Sequence, residues 1–235
     1  MPAHFNEVIP NLYQIPLWGS SAFLLLEEQV TVIDAGWRGN GRRIVKHLGR
    51  LGRTSSEISH IISTHYHLDH IGGIAHLKNN SSGKVALHEF EVQYVQPGEG
   101  VGLPNPVHHP LLALCMSPLM SLLKPEGFSV DLPLEDGTQM GQLGGMNVVH
   151  TPGHTPGSIS LHFPQAGLLM VGDALQYSKG KLALPARLFS DDMGQAADSV
   201  RKLAQLDFDV MCFSHFPPIQ DGGSRLLREF ADSLE

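Results

Sequence analysis

Four largely apolar runs in this 235-residue chain each end on a side chain that a buried strand does not need. Ile58 to Ser63 leads into Thr64-His65-Tyr66-His67-Leu68-Asp69-His70, and Val148-Val149-His150 leads into Thr151-Pro152-Gly153-His154. Leu168 to Val171 leads into Gly172-Asp173, and Val210 to Phe213 into Ser214-His215. Short apolar runs bounded by turn residues read as buried strands. A metal-type residue directly after such a strand, four times over, is not a packing requirement. That repetition limits the folds open to the chain more than any composition figure does.

The first of the four is the densest, with three histidines and an aspartate between His65 and His70. Two imidazoles followed by a carboxylate and a third imidazole form a ligand mix that suits zinc and is tolerated by iron or manganese. Ile71-Gly72-Gly73-Ile74-Ala75 opens a helix, so the four side chains sit on a strand-to-helix loop where they can converge. An exposed loop rich in histidine by chance is the alternative, and the spacing argues against it.

Around these runs the pattern alternates between strands and helices. Strands are expected at Ala22–Leu26, Val30–Asp34, Lys84–His88, Phe128–Val130, Met146–His150, Ser158–Phe163, Gly167–Val171 and Val210–Phe213. Helices are expected from Arg42 to Leu51, closed by Gly52, and from Gly72 to Lys78, with a short one through Val95. Two more are expected, over Asp191–Leu206 and Ser224–Leu234. The order implies one α/β domain over 1–235 with two similar halves, each a sheet backed by helices. Residues 97–127 interrupt it with a Pro/Gly loop and the apolar stretches Leu111–Met116 and Leu119–Leu123. This insertion reads either as a helical pair on the core or as a lid or subunit contact, which leaves a homodimer open.

Composition enters mainly by exclusion. The 42% apolar content supports a core, while a net charge of −7 without a basic stripe gives no footprint for nucleic acid. Cys115 and Cys212 read as buried free thiols. The N-terminus lacks the pattern of a secretory signal, and the longest apolar run is too short and too broken by Ser117 and Pro118 for a bilayer span. A cytoplasmic protein with no membrane insertion is expected.

Taken together, Val32-Ile33-Asp34-Ala35-Gly36, the Thr64–His70 run, the Thr151–Ser158 turn, Val171-Gly172-Asp173 and Ser214-His215 resemble the metallo-β-lactamase superfamily. The resemblance implies a four-layer αβ/βα sandwich of two mixed β-sheets flanked by helices. Carried over by motif position, it implies that His65, His67 and His154 hold one metal, that Asp69, His70 and His215 hold a second, and that Asp173 bridges both. Asp34 would brace the loop rather than ligate, or serve as a plain strand-end turn. Where family members often have Gly-His-Gly, this chain has Ser214-His215-Phe216-Pro217-Pro218, a bulkier and stiffer loop. His4, His47, His60, His76 and His162 read as surface or core residues; His88, His108, His109 and His150 stay open as substrate-facing groups.

The ligand set implies two divalent ions, zinc first with iron or manganese as alternatives, sharing a hydroxide that attacks a small ester, lactone or thioester. Asp69 would orient that hydroxide and accept its proton. The lactonases of the family carry a tyrosine three residues after the bridging Asp; that place is Gln176 here, with Tyr177 one further on. Tyr177 is therefore a candidate oxyanion donor, or an ordinary core or lid tyrosine. Asp173 argues against the β-lactamases, which lack Asp at that position. The twenty residues after His215 argue against glyoxalase II with its extra helical domain. The acidic chain argues against the RNase Z type. A small-molecule substrate with an apolar portion is expected. The alternatives are a mononuclear iron dioxygenase of the persulfide dioxygenase type and a phosphoester hydrolase.

Overall fold

The computed structural model describes residues 6–96, 114 and 126–234. It resolves into two compact units; among the described residues the first holds 6–87, 92–96 and 126–133, and the second 88–91, 114 and 134–234. The insertion at 97–127 lies almost wholly outside the described residues, as do His4, His108, His109 and Cys115.

The first unit is built on a seven-stranded sheet whose spatial order follows the chain: β1 (Asn6–Ile9), β2 (Leu12–Pro16), β3 (Ser21–Leu26), β4 (Val30–Ile33), β5 (Ile58–Ile62), β6 (Lys84–His88) and β7 (Leu132–Leu134). β1 to β4 pair antiparallel, and β4, β5 and β6 pair parallel. All four residues of β4 are buried, Thr31 included, as in a strand covered on both faces. Parallel pairing demands crossovers, supplied by α1 (Asn40–Arg50) and by α2 (Leu68–Ile71) with α3 (Ile74–Asn79). α1 buries Ile44 and Leu48 in a cluster with Val32, Ile61, Ile71, Ile74 and Val85. Each such side chain contributes roughly 1.5–3 kcal/mol when fully buried. The short α4 (Val92–Val95) adds Val95 to the same core.

The second unit holds a five-stranded sheet in the order β14 (Val210–Cys212), β11 (Leu168–Met170), β10 (Ile159–Phe163), β9 (Met146–His150), β8 (Gln139–Met140). Only β11 and β14 are parallel. β10 is buried at every residue. α5 (Met193–Leu203) and α6 (Gly223–Asp232) pack on each other and on a core of Leu169, Val200, Leu203, Met211, Phe213 and Leu227. Asp192 caps α5 by accepting from Gly194 N and Gln195 N at 2.8 and 3.0 Å, a contact worth about 1 kcal/mol.

The expected class holds: a mixed α/β chain with two large mixed sheets and helices. Three details differ from the pattern reading. β1 and β2 lie outside the expected strands; β1 is short and half exposed. Phe128–Val130 is not a strand: Lys78 Nζ binds the Ser129 carbonyl at 2.7 Å and Asp131, and Asp131 Oδ2 takes the amide of Val85 at 2.8 Å. The strand begins only at Leu132. The segment after Asp173 forms an unexpected hairpin, β12 (Gln176–Ser178) and β13 (Lys181–Ala183). Its two-residue turn, Lys179-Gly180, has both φ angles positive, the geometry that hairpin twist prefers but without the usual Asn-Gly signal. No helix among the described residues is long and apolar enough to cross a membrane.

Candidate metal centre

In the first unit the ligand run starts where β5 ends. His67 is the extended residue that opens α2, with its carbonyl accepting from His70 N and Ile71 N at 2.9 and 3.0 Å. This single turn of helix places Asp69 and His70 after His65 and His67. Gly72 then lets α2 lie against the backbone after β4, because a Cβ there would sit 2.3 Å from Arg38 N and 2.4 Å from the Trp37 carbonyl carbon.

Asp34 braces this loop, as the second-sphere reading of the sequence expects. It leaves β4 in the left-handed region at φ 55°, which aspartate tolerates better than most residues, and it is completely buried. Its Oδ1 accepts from Thr64 N at 2.8 Å and Thr64 Oγ1 at 3.1 Å, and its Oδ2 accepts from His70 Nδ1 at 2.9 Å. The Thr64 hydroxyl gives its proton to Asp34 and so accepts from His65 Nδ1 at 3.1 Å. The network thereby assigns the Nδ1 proton on both His65 and His70, which leaves Nε2 as the nitrogen whose lone pair could meet a metal ion. His70 Nε2 lies 3.7 Å from Asp69 Oδ2. The His65 ring centroid is 3.9 Å from that of His70 and 4.7 Å from that of His67. The Ser20 hydroxyl donates to the Asp69 carbonyl at 2.6 Å, and Tyr66 stacks on Tyr94.

In the second unit the candidates come from three separate strand ends. His154 sits in the turn between β9 and β10, closed by Thr151 N on Ser158 O at 2.8 Å. Its Nδ1 faces Ser190 Oγ at 3.1 Å, while that hydroxyl donates to the Ala186 carbonyl at 2.9 Å, so Nδ1 again carries the proton. Its Nε2 points to Asp173 Oδ2 at 3.5 Å. Asp173 follows β11, and its Oδ2 also meets His215 Nε2, just past β14, at 2.9 Å. The parallel pairing of β11 and β14 continues through Val171 N on Cys212 O at 2.9 Å, which carries both residues to the same end of the sheet.

In both units Nδ1 is held from outside, on His65, His70 and His154, and Nε2 of His70, His154 and His215 lies near a carboxylate. The donor set of neutral imidazole nitrogens and carboxylate oxygens suits a divalent ion such as zinc, and all seven side chains offer a ligand atom for one. Tyr177 lies on β12 with its ring parallel to Phe213, centroids 5.6 Å apart, and it packs against the core of the second unit. His88 and His150 stack face to face at 4.1 Å with Phe90 edge-on to both. Burial first, and then the neighbouring His150, pushes His88 down to about 4. His150 Nε2 reaches the Pro156 carbonyl at 2.9 Å. Cys212 is buried, and that burial raises its thiol pKa. Sequence reasoning missed Ser190 and Ser20, since a lone Ser far along the chain carries no pattern, and it gave the Thr64 hydroxyl beside His65 no role.

An α/β fold whose strand ends carry histidine and aspartate is equipped to bind divalent metal. The chain belongs to the metallo-beta-lactamase superfamily, whose family model matches residues 15–215. It is 29% identical over 215 residues to the "Probable metallo-hydrolase YflN" of Bacillus subtilis, covering 86% of this chain and 81% of that one. It is also 29% identical over 170 residues to a hydroxyacylglutathione hydrolase of Cereibacter sphaeroides, covering 72% of this chain and about half, 52%, of the relative. Among solved structures, the BLEG-1 B3 metallo-beta-lactamase matches with a TM-score of 0.69 at 23% identity, covering 88% of this chain and 92% of that one. A metallo-beta-lactamase family protein from Thermus thermophilus matches with a TM-score of 0.68 at 23% identity, covering 96% and 79%. At these identities the structural likeness is one of fold.

Proposed function

We propose that the chain is a dinuclear metal-dependent hydrolase of a small ester, lactone or thioester. In this reading His65, His67 and His154 hold one ion, Asp69, His70 and His215 hold the other, and Asp173 is shared. The observation that carries it is the fixed tautomer of His65, His70 and His154, whose Nδ1 atoms bond to Thr64, Asp34 and Ser190. Such outer bonds orient imidazoles as ligands, and the carboxylate of Asp34 also raises the basicity of His70. The similarity to a hydroxyacylglutathione hydrolase, whose name describes thioester cleavage, supports the ester class.

Bound divalent ions, zinc foremost, would supply Lewis acidity that activates water at neutral pH and steadies a developing oxyanion. The rest falls to the protein. The Asp69 carboxylate, 20% exposed and held through its carbonyl by Ser20, orients the attacking water and takes its proton at Oδ2. Tyr177, stacked on the Phe213 ring two residues before His215, donates its hydroxyl to the oxygen that gains charge. Tyr177→Phe then slows hydrolysis and leaves metal content unchanged.

Elemental analysis beside a panel of lactones, aryl esters, thioesters and phosphoesters tests the reading. Ester-type turnover that disappears with a chelator or in Asp173→Ala is the expected result. One iron per chain without hydrolysis would contradict it and point to a dioxygenase, and turnover of phosphoesters alone would move the substrate class.

A further inference from the structure

Glu91 has no part in the ligand set, yet its carboxylate is completely buried in the second unit. It closes the 3-10 turn Glu89–Glu91 after β6. Its Oε1 accepts from Thr155 Oγ1 and from Gly157 N, both at 2.7 Å. Thr155 Oγ1 also lies 2.7 Å from Ser158 Oγ, which takes the amide of Thr155 at 3.1 Å. The fit is specific to glycine at 157, since a Cβ there would come within 2.5 Å of Glu91 Cγ and 2.8 Å of Oε1.

A buried carboxylate is a poor choice for filling space, because losing its hydration costs more than an amide or apolar side chain of similar size would. What it supplies is one strong acceptor for two donors on the stretch immediately after His154. From the other side, Asp191 N and Asp192 N bond to the carbonyls of His154 and Gly153 at 3.2 and 2.9 Å. The backbone at His154 is therefore clamped between the segment 190–192 and Glu91.

We infer that Glu91 is a positioning residue for His154: by holding Thr155 and Gly157 it fixes the turn from which the imidazole meets a metal ion. The inference rests on the metal site proposed above, and it is read through metal binding rather than turnover. Full-length wild type, Glu91→Ala, Glu91→Gln and Thr155→Val are compared by Zn2+ competition against a chromophoric chelator. The same four proteins are compared by the absorption spectrum of their Co2+ forms, amide exchange at Gly157 and melting of the metal-free chain.

Glu91→Ala is expected to weaken Zn2+ binding about 10–100-fold, as loss of outer-shell support does, with an altered Co2+ spectrum and faster exchange at Gly157. Glu91→Gln keeps an acceptor oxygen with two lone pairs and is expected to stay within about threefold of wild type. Thr155→Val removes one of the two donors and is expected to fall between them. Glu91→Ala that melts earlier but binds Zn2+ with wild-type affinity and spectrum would overturn the inference, leaving a structural brace. Should that variant not fold, wild-type affinity in Thr155→Val, or a Glu91→Gln weaker than Thr155→Val, would overturn it instead. If the variants lose Zn2+ affinity as expected but wild type hydrolyses no ester, the Glu91 inference stands and the hydrolase reading falls.

Discussion

The two units secure their candidate histidines by different means. In the first, one buried carboxylate holds most of the loop: Asp34 touches His70 Nδ1 directly and binds the backbone and hydroxyl of Thr64, which in turn holds His65. In the second, the imidazole of His154 meets a neutral hydroxyl, Ser190, and the buried carboxylate, Glu91, grips only the turn. A carboxylate on Nδ1 fixes the tautomer and makes Nε2 a stronger ligand; a hydroxyl fixes the tautomer with little change in basicity. The first unit also draws four candidates from six consecutive residues, while the second draws three from strand ends far apart in the chain. One is a local loop that stands or falls together. The other depends on the pairing of β14, β11, β10 and β9.

The largest break in this comparison is Asp34→Ala. It leaves the amide of Thr64 and the donors of Thr64 and His70 without their acceptor in a buried site, at a cost of about 3–5 kcal/mol. Urea unfolding should show that loss together with depleted metal; a stability within about 1 kcal/mol of wild type would mean that Asp34 is only a turn residue. Ser190→Ala is the matching probe in the second unit. It should weaken Zn2+ binding on the order of tenfold with a stability loss of about 1–2 kcal/mol, smaller than that of Asp34→Ala, and unchanged affinity would remove Ser190 from the account.

The smallest effect is in acid. His88 is held near 4 by burial and by His150, against 6.5 for an ordinary histidine, so the unfolded chain takes up this proton first as pH falls. The stability it contributes is complete above about pH 6.5 and is lost progressively down to about 4, on the order of 1–2 kcal/mol. His88→Gln should flatten that part of the stability profile of the metal-free protein, and an unchanged slope would assign the acid sensitivity to other groups.

Much of this contrast was legible in the residues themselves. The α/β class followed from largely apolar runs such as Val30–Ile33 and Leu168–Met170 alternating with helix spacings such as Ile44, Val45 and Leu48. The seven candidate ligands were legible because strand-end His and Asp have no packing reason to recur. The rest depends on contacts distant in sequence or on turns without a sequence signal. Ser190 lies 36 residues from His154, and Glu91 lies 64 from Thr155. Lys179-Gly180 makes a hairpin turn without the composition that announces one, and Phe128–Val130 has a strand's residues but gives its backbone to Lys78.

The central claim is that the local loop and the distributed strand ends share two ions through Asp173. It is tested most directly by counting Zn2+ per chain, by titration with elemental analysis, in wild type and in Asp173→Ala. The account predicts two ions in wild type and at most one, weakly held, in the variant. One ion in wild type, or two held with unchanged affinity after the loss of Asp173, would contradict it.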